Sequence, residues 1–177
     1  MVLVTSGCIS PTWEPVAGTV REDTLNVEIE LPSDWYRFRD GQDDLIFTKH
    51  GLGLQQISVS KKELEELNEH AKKTLTATML PHEVAQWSKD GFLADTRIMN
   101  QRVLTMGLAQ LAGHPGYRLL LSFKTTEGLT YRILQYGYLH DKTLTRLTYR
   151  AVSRIYFDED LPIFEQVVAS YHESHGT

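Results

Sequence analysis

The sequence predicts an α+β fold, a twisted and mainly antiparallel sheet flanked by helices in an α/β sandwich, and three observations carry that reading. Leu25, Val27, Ile29 and Leu31 alternate with Asn26, Glu28 and Glu30, the period-two pattern of a strand with one buried and one wet face. Leu64, Leu67, Ala71 and Leu75 recur at helical spacing among lysines and glutamates. Three long apolar-rich stretches, 117–126, 129–140 and 143–153, are separated only by the turn signals Thr125-Thr126-Glu127-Gly128 and Asp141-Lys142-Thr143, so they read as consecutive strands of an antiparallel meander.

The elements follow in order. Residues 1–23 are assigned as a signal remnant and flexible tether, because Pro11, Pro15 and Gly18 stand among small and polar residues with no period, and Trp13 is expected to pack on the domain edge. Residues 24–177 form one domain. The strand at 24–31 ends at Pro32-Ser33-Asp34; short apolar runs at 45–48 and 57–60 form a hairpin pair around Gly51-Leu52-Gly53. The spacing predicts a surface helix over 61–78. A second helix follows from about Leu80 to Phe92, with Thr78 as its cap, Pro81 in its first turn, Val84, Trp87 and Phe92 inward, and Gly91 at its end. A long strand at 97–110 precedes the meander. Asp158-Glu159-Asp160 opens a last helix with acidic residues at its positive end, and Leu161, Phe164, Val168 and Tyr171 line its buried stripe.

A chain of 177 residues, 41% hydrophobic and 23% charged, buries an ordinary core without metal or disulfide staples. The net charge of −5 and the lack of a contiguous Lys/Arg block argue against nucleic acid as a partner. Cys8 is the sole cysteine, so neither an intramolecular disulfide nor a CxxC site can form. Its setting, Met1-Val2-Leu3-Val4-Thr5-Ser6-Gly7-Cys8, resembles the end of a bacterial lipoprotein signal, in which small residues precede the thiol that takes the lipid. Only seven residues, none basic, precede it, against the roughly 7–15 apolar residues and basic start of a working signal. Two readings stay open. One is a lipid-anchored protein of the bacterial periplasm or outer membrane, attached through Cys8, with Ile9 in the following position favouring the outer membrane by resemblance to enteric lipoproteins. The other is a cytoplasmic adaptor or small-ligand carrier with an irregular N-terminus.

Four segments in order resemble PsbP-like domains and bacterial lipoproteins of that type: Leu31-Pro32-Ser33-Asp34-Trp35, Gly113-His114-Pro115-Gly116-Tyr117-Arg118, Leu147-Thr148-Tyr149-Arg150-Ala151, and Tyr156-Phe157-Asp158 through Leu161-Pro162-Ile163-Phe164-Glu165. The resemblance spans about residues 24–173. It implies a twisted antiparallel sheet with flanking helices, and a non-enzymatic domain that binds other macromolecules; plant members associate with the lumenal side of photosystem II. Each segment also has a structural reading, Trp35 and Phe164 as core and Pro115-Gly116 as a turn.

Catalytic chemistry finds little footing. Gly51-Leu52-Gly53-Leu54-Gln55-Gln56 lacks the third glycine and the following helix of a dinucleotide site and reads as a turn. His172-Glu173-Ser174-His175 falls one residue short of HExxH. His50, His82, His114 and His140 are scattered, and Asp43-Asp44, Glu65-Glu66 and Asp158-Glu159-Asp160 read as exposed or helix-capping. No catalytic residue, cofactor or metal is expected. Tyr136 and Tyr138 share a strand face and, with His114 and Tyr117, are the candidate interaction surface for a protein or small ligand; the alternative is that a helix covers that face.

Overall fold

The computed structural model describes residues 12–39, 44–69 and 71–174. The elements run β1 (Thr12–Pro15), β2 (Gly18–Glu22), β3 (Val27–Leu31), β4 (Tyr36–Arg39), β5 (Leu45–Thr48), β6 (Gln55–Glu63), α1 (Leu64–Asn68), α2 (Pro81–Leu93), β7 (Met99–Leu111), β8 (His114–Lys124), β9 (Thr130–His140), β10 (Thr143–Val152), α3 (Tyr156–Ser170) and β11 (His172–Glu173). Eight strands form one antiparallel sheet in the order β1-β4-β5-β6-β10-β9-β8-β7, and β11-β3-β2 form a second, smaller one. The large sheet is open, with β1 at one edge and β7 at the other.

Both faces of the large sheet are covered in part. On one lie α3 and the small sheet, where Ile29, Trp35, Phe47, Ile57, Tyr149 and Phe164 anchor the main core. On the other, Leu64, Leu75, Val84 and Ala85 pack against Tyr117, Leu119, Leu121 and Leu144. The first is the α3 face and the second the α2 face. The meander stands as expected: β8 pairs β9, and β9 pairs β10, each antiparallel. Trp35 and Phe164, at 1% and 0% exposed, are core as the structural reading has them.

Five local expectations are corrected. Residues 12–22, read as tether, supply β1 and β2: β1 pairs β4 from Thr12↔Arg39 to Pro15↔Tyr36, and β2 pairs β3. Pro15 is tolerated because it ends an edge strand, where a missing N–H costs no ladder bond. Residues 61–63, expected to begin a helix, continue β6 and pair with Thr143, Leu144 and Thr145 of β10. A partner strand there outweighs the helix preference of Lys-Lys-Glu.

Only α1 survives of the helix over 61–78. The chain then turns back, held by Asn68, whose Nδ2 donates to the Leu75 carbonyl (2.8 Å) and whose Oδ1 accepts the Leu75 N–H (2.7 Å). Leu64 and Leu75 are buried by this route, whereas Leu67 and Ala71 are half-buried. Thr78 does not cap α2; the Leu80 N–H donates to the Glu83 carboxylate at 2.8 Å, and the helix runs through Gly91 to Leu93. Finally, Pro115 and Gly116 lie within β8. The turn is Ala112-Gly113, with φ of 51° and 79°, the left-handed pair a two-residue hairpin requires.

Candidate interaction surface

The four residues expected to form a binding face separate into two groups, mostly buried. Tyr117 is 1% exposed on the α2 face. Its ring lies over its cross-strand partner Gly137, where an added Cβ would come within 2.7–2.8 Å of the phenol. Its hydroxyl donates to Gln135 Oε1 and meets Ser88 of α2, each at 2.8 Å. Burial pushes this phenol above its ordinary pKa. Tyr136 and Tyr138 share the α3 face as expected, and α3 and β11 cover them: the Tyr136 hydroxyl donates to Glu165 of α3 (2.9 Å), and that of Tyr138 to Glu173 of β11 (2.8 Å). These tyrosines are therefore not an exposed aromatic platform. A period-two pattern gives the shared face; it does not reveal the downstream helix that covers it, whose Glu165 is 29 residues from Tyr136.

His114 is half-buried, stacked on Tyr138 at 4.5 Å with a 5° interplanar angle, and His140 lies 4.7 Å from it. Glu173, bonded to Tyr138 and to Lys61 Nζ at 2.7 Å, closes this end of the face. Partial burial raises the Glu173 carboxyl, but Lys61 and the Tyr138 hydroxyl outweigh it and hold it below its ordinary value. Among the described residues no group of three or more His, Cys, Asp and Glu side chains could hold a metal ion. His172 pairs instead with Glu28 (3.2 Å), and His175 and Cys8 lie outside the described residues. Asp160, read as exposed or helix-capping, lies near the start of α3, is 2% exposed and accepts a hydrogen bond from Gln55. Gly51-Leu52-Gly53 is the expected turn, between β5 and β6.

The surface left open is the β7–β8 hairpin, and chiefly β7. Of its thirteen residues only Leu111 is buried. Val103, Leu104, Met106 and Leu108 are 36%, 44%, 45% and 72% exposed. Register shifts at Met99/Arg102 and Val103/Thr105 break the first half of the strand, whereas Thr105–Leu111 pairs with β8 without interruption. Among the described residues that stretch presents one regular, unpaired edge.

Its two faces differ. Met106 and Leu108 stand opposite Leu119 and Tyr117 on the α2 face, beside a shallow depression also lined by Pro81, Gln110 and Pro115. Thr105, Gly107 and Ala109 stand on the α3 face, opposite Leu120, Arg118 and Gly116. Arg118 is held there, its Nε donating to the Tyr136 hydroxyl (2.9 Å) with Glu165 3.5 Å away. An exposed apolar edge strand with almost no charge is what isolated monomers avoid.

No family model matches the chain, and no curated protein does. Solved structures do. Cyanobacterial PsbP (CyanoP) from Synechocystis has a TM-score of 0.61 at 16% identity, covering 98% of both chains. A mutant of the protein Mog1 has a TM-score of 0.57 at 11% identity over 88% of this chain and 95% of the other. A protein from Bacteroides thetaiotaomicron has a TM-score of 0.52 at 12% identity, over 88% of this chain and 48% of that one. At these identities the likeness bears on architecture alone, and the chain has a PsbP/Mog1-like α+β fold.

Proposed function

We propose that this chain is a non-enzymatic accessory domain of the bacterial cell envelope that binds a protein partner by accepting an extended segment along β7. The observation that carries it is the unpaired Thr105–Leu111 edge with Met106 and Leu108 exposed beside it. Strand addition supplies main-chain hydrogen bonds for affinity and alternate side-chain contacts for selectivity, and both are on offer there.

The address rests on Met1–Cys8 and their likeness to a lipoprotein signal, with the lipid on Cys8. Since β1 starts at Thr12, three residues after Cys8 would separate body and anchor, four Cα steps with a reach of at most roughly 14 Å. The anchored edge of the sheet would then be β1, and β7 would face away, seven strand spacings or about 33 Å across the sheet. This orientation supports the binding role. Mass spectrometry of detergent-extracted protein, alongside Cys8→Ser, tests the address; an unmodified terminus and identical soluble fractionation leave the cytoplasmic adaptor as the better account.

The binding role is tested by a photo-crosslinking residue at Leu108, with a second at Tyr36 in β4, which is 45% exposed, as control. A discrete adduct is expected at position 108 and not at 36. The partner identified from it should bind the purified domain, and lose that binding in Met106→Asp. Equal yields at both positions, or binding indifferent to Met106→Asp, would remove β7 as the site.

A further inference from the structure

Charge is distributed unevenly about this edge. Residues 97–124, which include the whole β7–β8 hairpin, contain Arg97, Arg102, Arg118 and Lys124 and no Asp or Glu. The remainder of the chain holds the other 14 of 18 Lys/Arg and all 23 Asp/Glu, a net charge of −9 against +4. Arg97 is engaged by Asp95 and Arg118 by Glu165. Arg102 and Lys124 have no ion pair among the described residues.

The register fixes where these cations point. Arg102 is opposite Ser122, and Lys124 and Arg118 share the parity of Ser122 in β8, so all three stand on the α3 face. The α2 face of the same edge carries Met106 and Leu108. A strand laid against Thr105–Leu111 places alternate side chains on these two faces, and its extension past the Val103/Thr105 register shift reaches Arg102.

We propose that the partner of β7 is an extended protein segment in which acidic residues alternate with apolar ones, the acidic set meeting Arg102 and Lys124 and the apolar set meeting Met106, Leu108 and Pro81. This rests on the strand-addition reading of β7 and names its ligand. A second copy of the chain is the poorer occupant, since pairing β7 with itself brings two hairpins of +3 together. Nucleic acid is also poorer, because the exposed side chains between the cations are aliphatic and offer no stacking platform.

The test uses fluorescent, end-blocked nonapeptides of alternating Glu and Val, the Lys/Val counterpart, and a single-stranded DNA decamer, titrated against the full chain by anisotropy. The Glu/Val peptide is expected to bind at least roughly tenfold tighter than the Lys/Val one, with Arg102→Glu plus Lys124→Glu abolishing that preference and Leu108→Asp weakening both peptides. Arg102 and Leu108 are exposed and Lys124 is half-buried, and unchanged thermal melting confirms that the variants are folded. If the two peptides bind equally and Leu108→Asp weakens both, the charge selection is wrong and strand addition stands. If Leu108→Asp changes neither, or neither peptide binds, both readings fall. DNA binding as tight as the Glu/Val peptide, with the same dependence on Arg102 and Lys124, would make the surface a general polyanion site and overturn the proposal.

Discussion

Gly137→Ala is a substitution whose outcome the structure constrains closely. Gly137 lies in β9 between Tyr117 of β8 and Arg146 of β10, and its missing side chain is the space that the Tyr117 ring fills. An alanine methyl would stand 2.7 Å from the phenol oxygen and 2.8 Å from two ring carbons, so the ring must swing aside. Moving it disturbs a side chain that is 1% exposed and breaks the contacts to Gln135 and Ser88. Overpacking costs about 1–3 kcal/mol, and two lost hydrogen bonds about 1 kcal/mol each. Against this, alanine in a strand gains about 0.5–1 kcal/mol over glycine. The net expectation is a loss of about 2–4.5 kcal/mol in urea denaturation, seen as a lower midpoint at constant m. In a Tyr117→Val background the clash is gone, and Gly137→Ala should be neutral or stabilising. A cost below about 0.5 kcal/mol in the parent, or the same cost in both backgrounds, would refute the ring-over-glycine account.

Two further outcomes follow from local geometry. Ile155, immediately before α3, has φ of 85° and ψ of −74° and is 65% exposed, a strained conformation for a β-branched residue with little burial to lose. Ile155→Gly should therefore raise stability by about 1 kcal/mol in chemical denaturation, and a loss of similar size would show the strain to be absent. Because the folded Glu173 carboxyl is held below its ordinary value near 4.5 by Lys61 and Tyr138, its contribution to docking β11 is complete above that value and is lost as pH falls through the depressed one. Lys61→Met should move the Glu173 carboxyl transition, followed by its side-chain 13C shift, to higher pH; an unmoved transition would mean the pair does not hold β11.

Period-two alternation is a local signal, and where it was strong the sequence reads correctly. The meander of β8, β9 and β10, the β5–β6 hairpin and α3 all have periodic stretches bounded by turn residues. What failed depended on distant partners. Lys61-Lys62-Glu63 has helical composition yet pairs with Thr143–Thr145, some eighty residues away. Thr12–Pro15 has no alternation of its own, because both of its faces are exposed and its partner is β4, through the backbone ladder, the Trp13 ring against Phe38 and the Glu14–Arg39 ion pair. The tyrosine face was legible as a face but not as a covered one. The open surface was missed for a related reason. Arg102, Arg118 and Lys124 are spread over 23 positions and form no block; Arg118 and Lys124 share a face of β8, and Arg102 joins them only when the Ala112-Gly113 turn folds β7 onto β8.

Amide hydrogen exchange along β7, with and without saturating partner, tests the central claim most directly. Alternate amides of Thr105–Leu111 point away from β8 and should exchange readily in the free domain. On binding, those same amides are expected to become protected in alternation, while β1 at the far edge keeps its rates. Protection confined to β1, or to α2 and α3 with β7 unchanged, would contradict strand addition at β7.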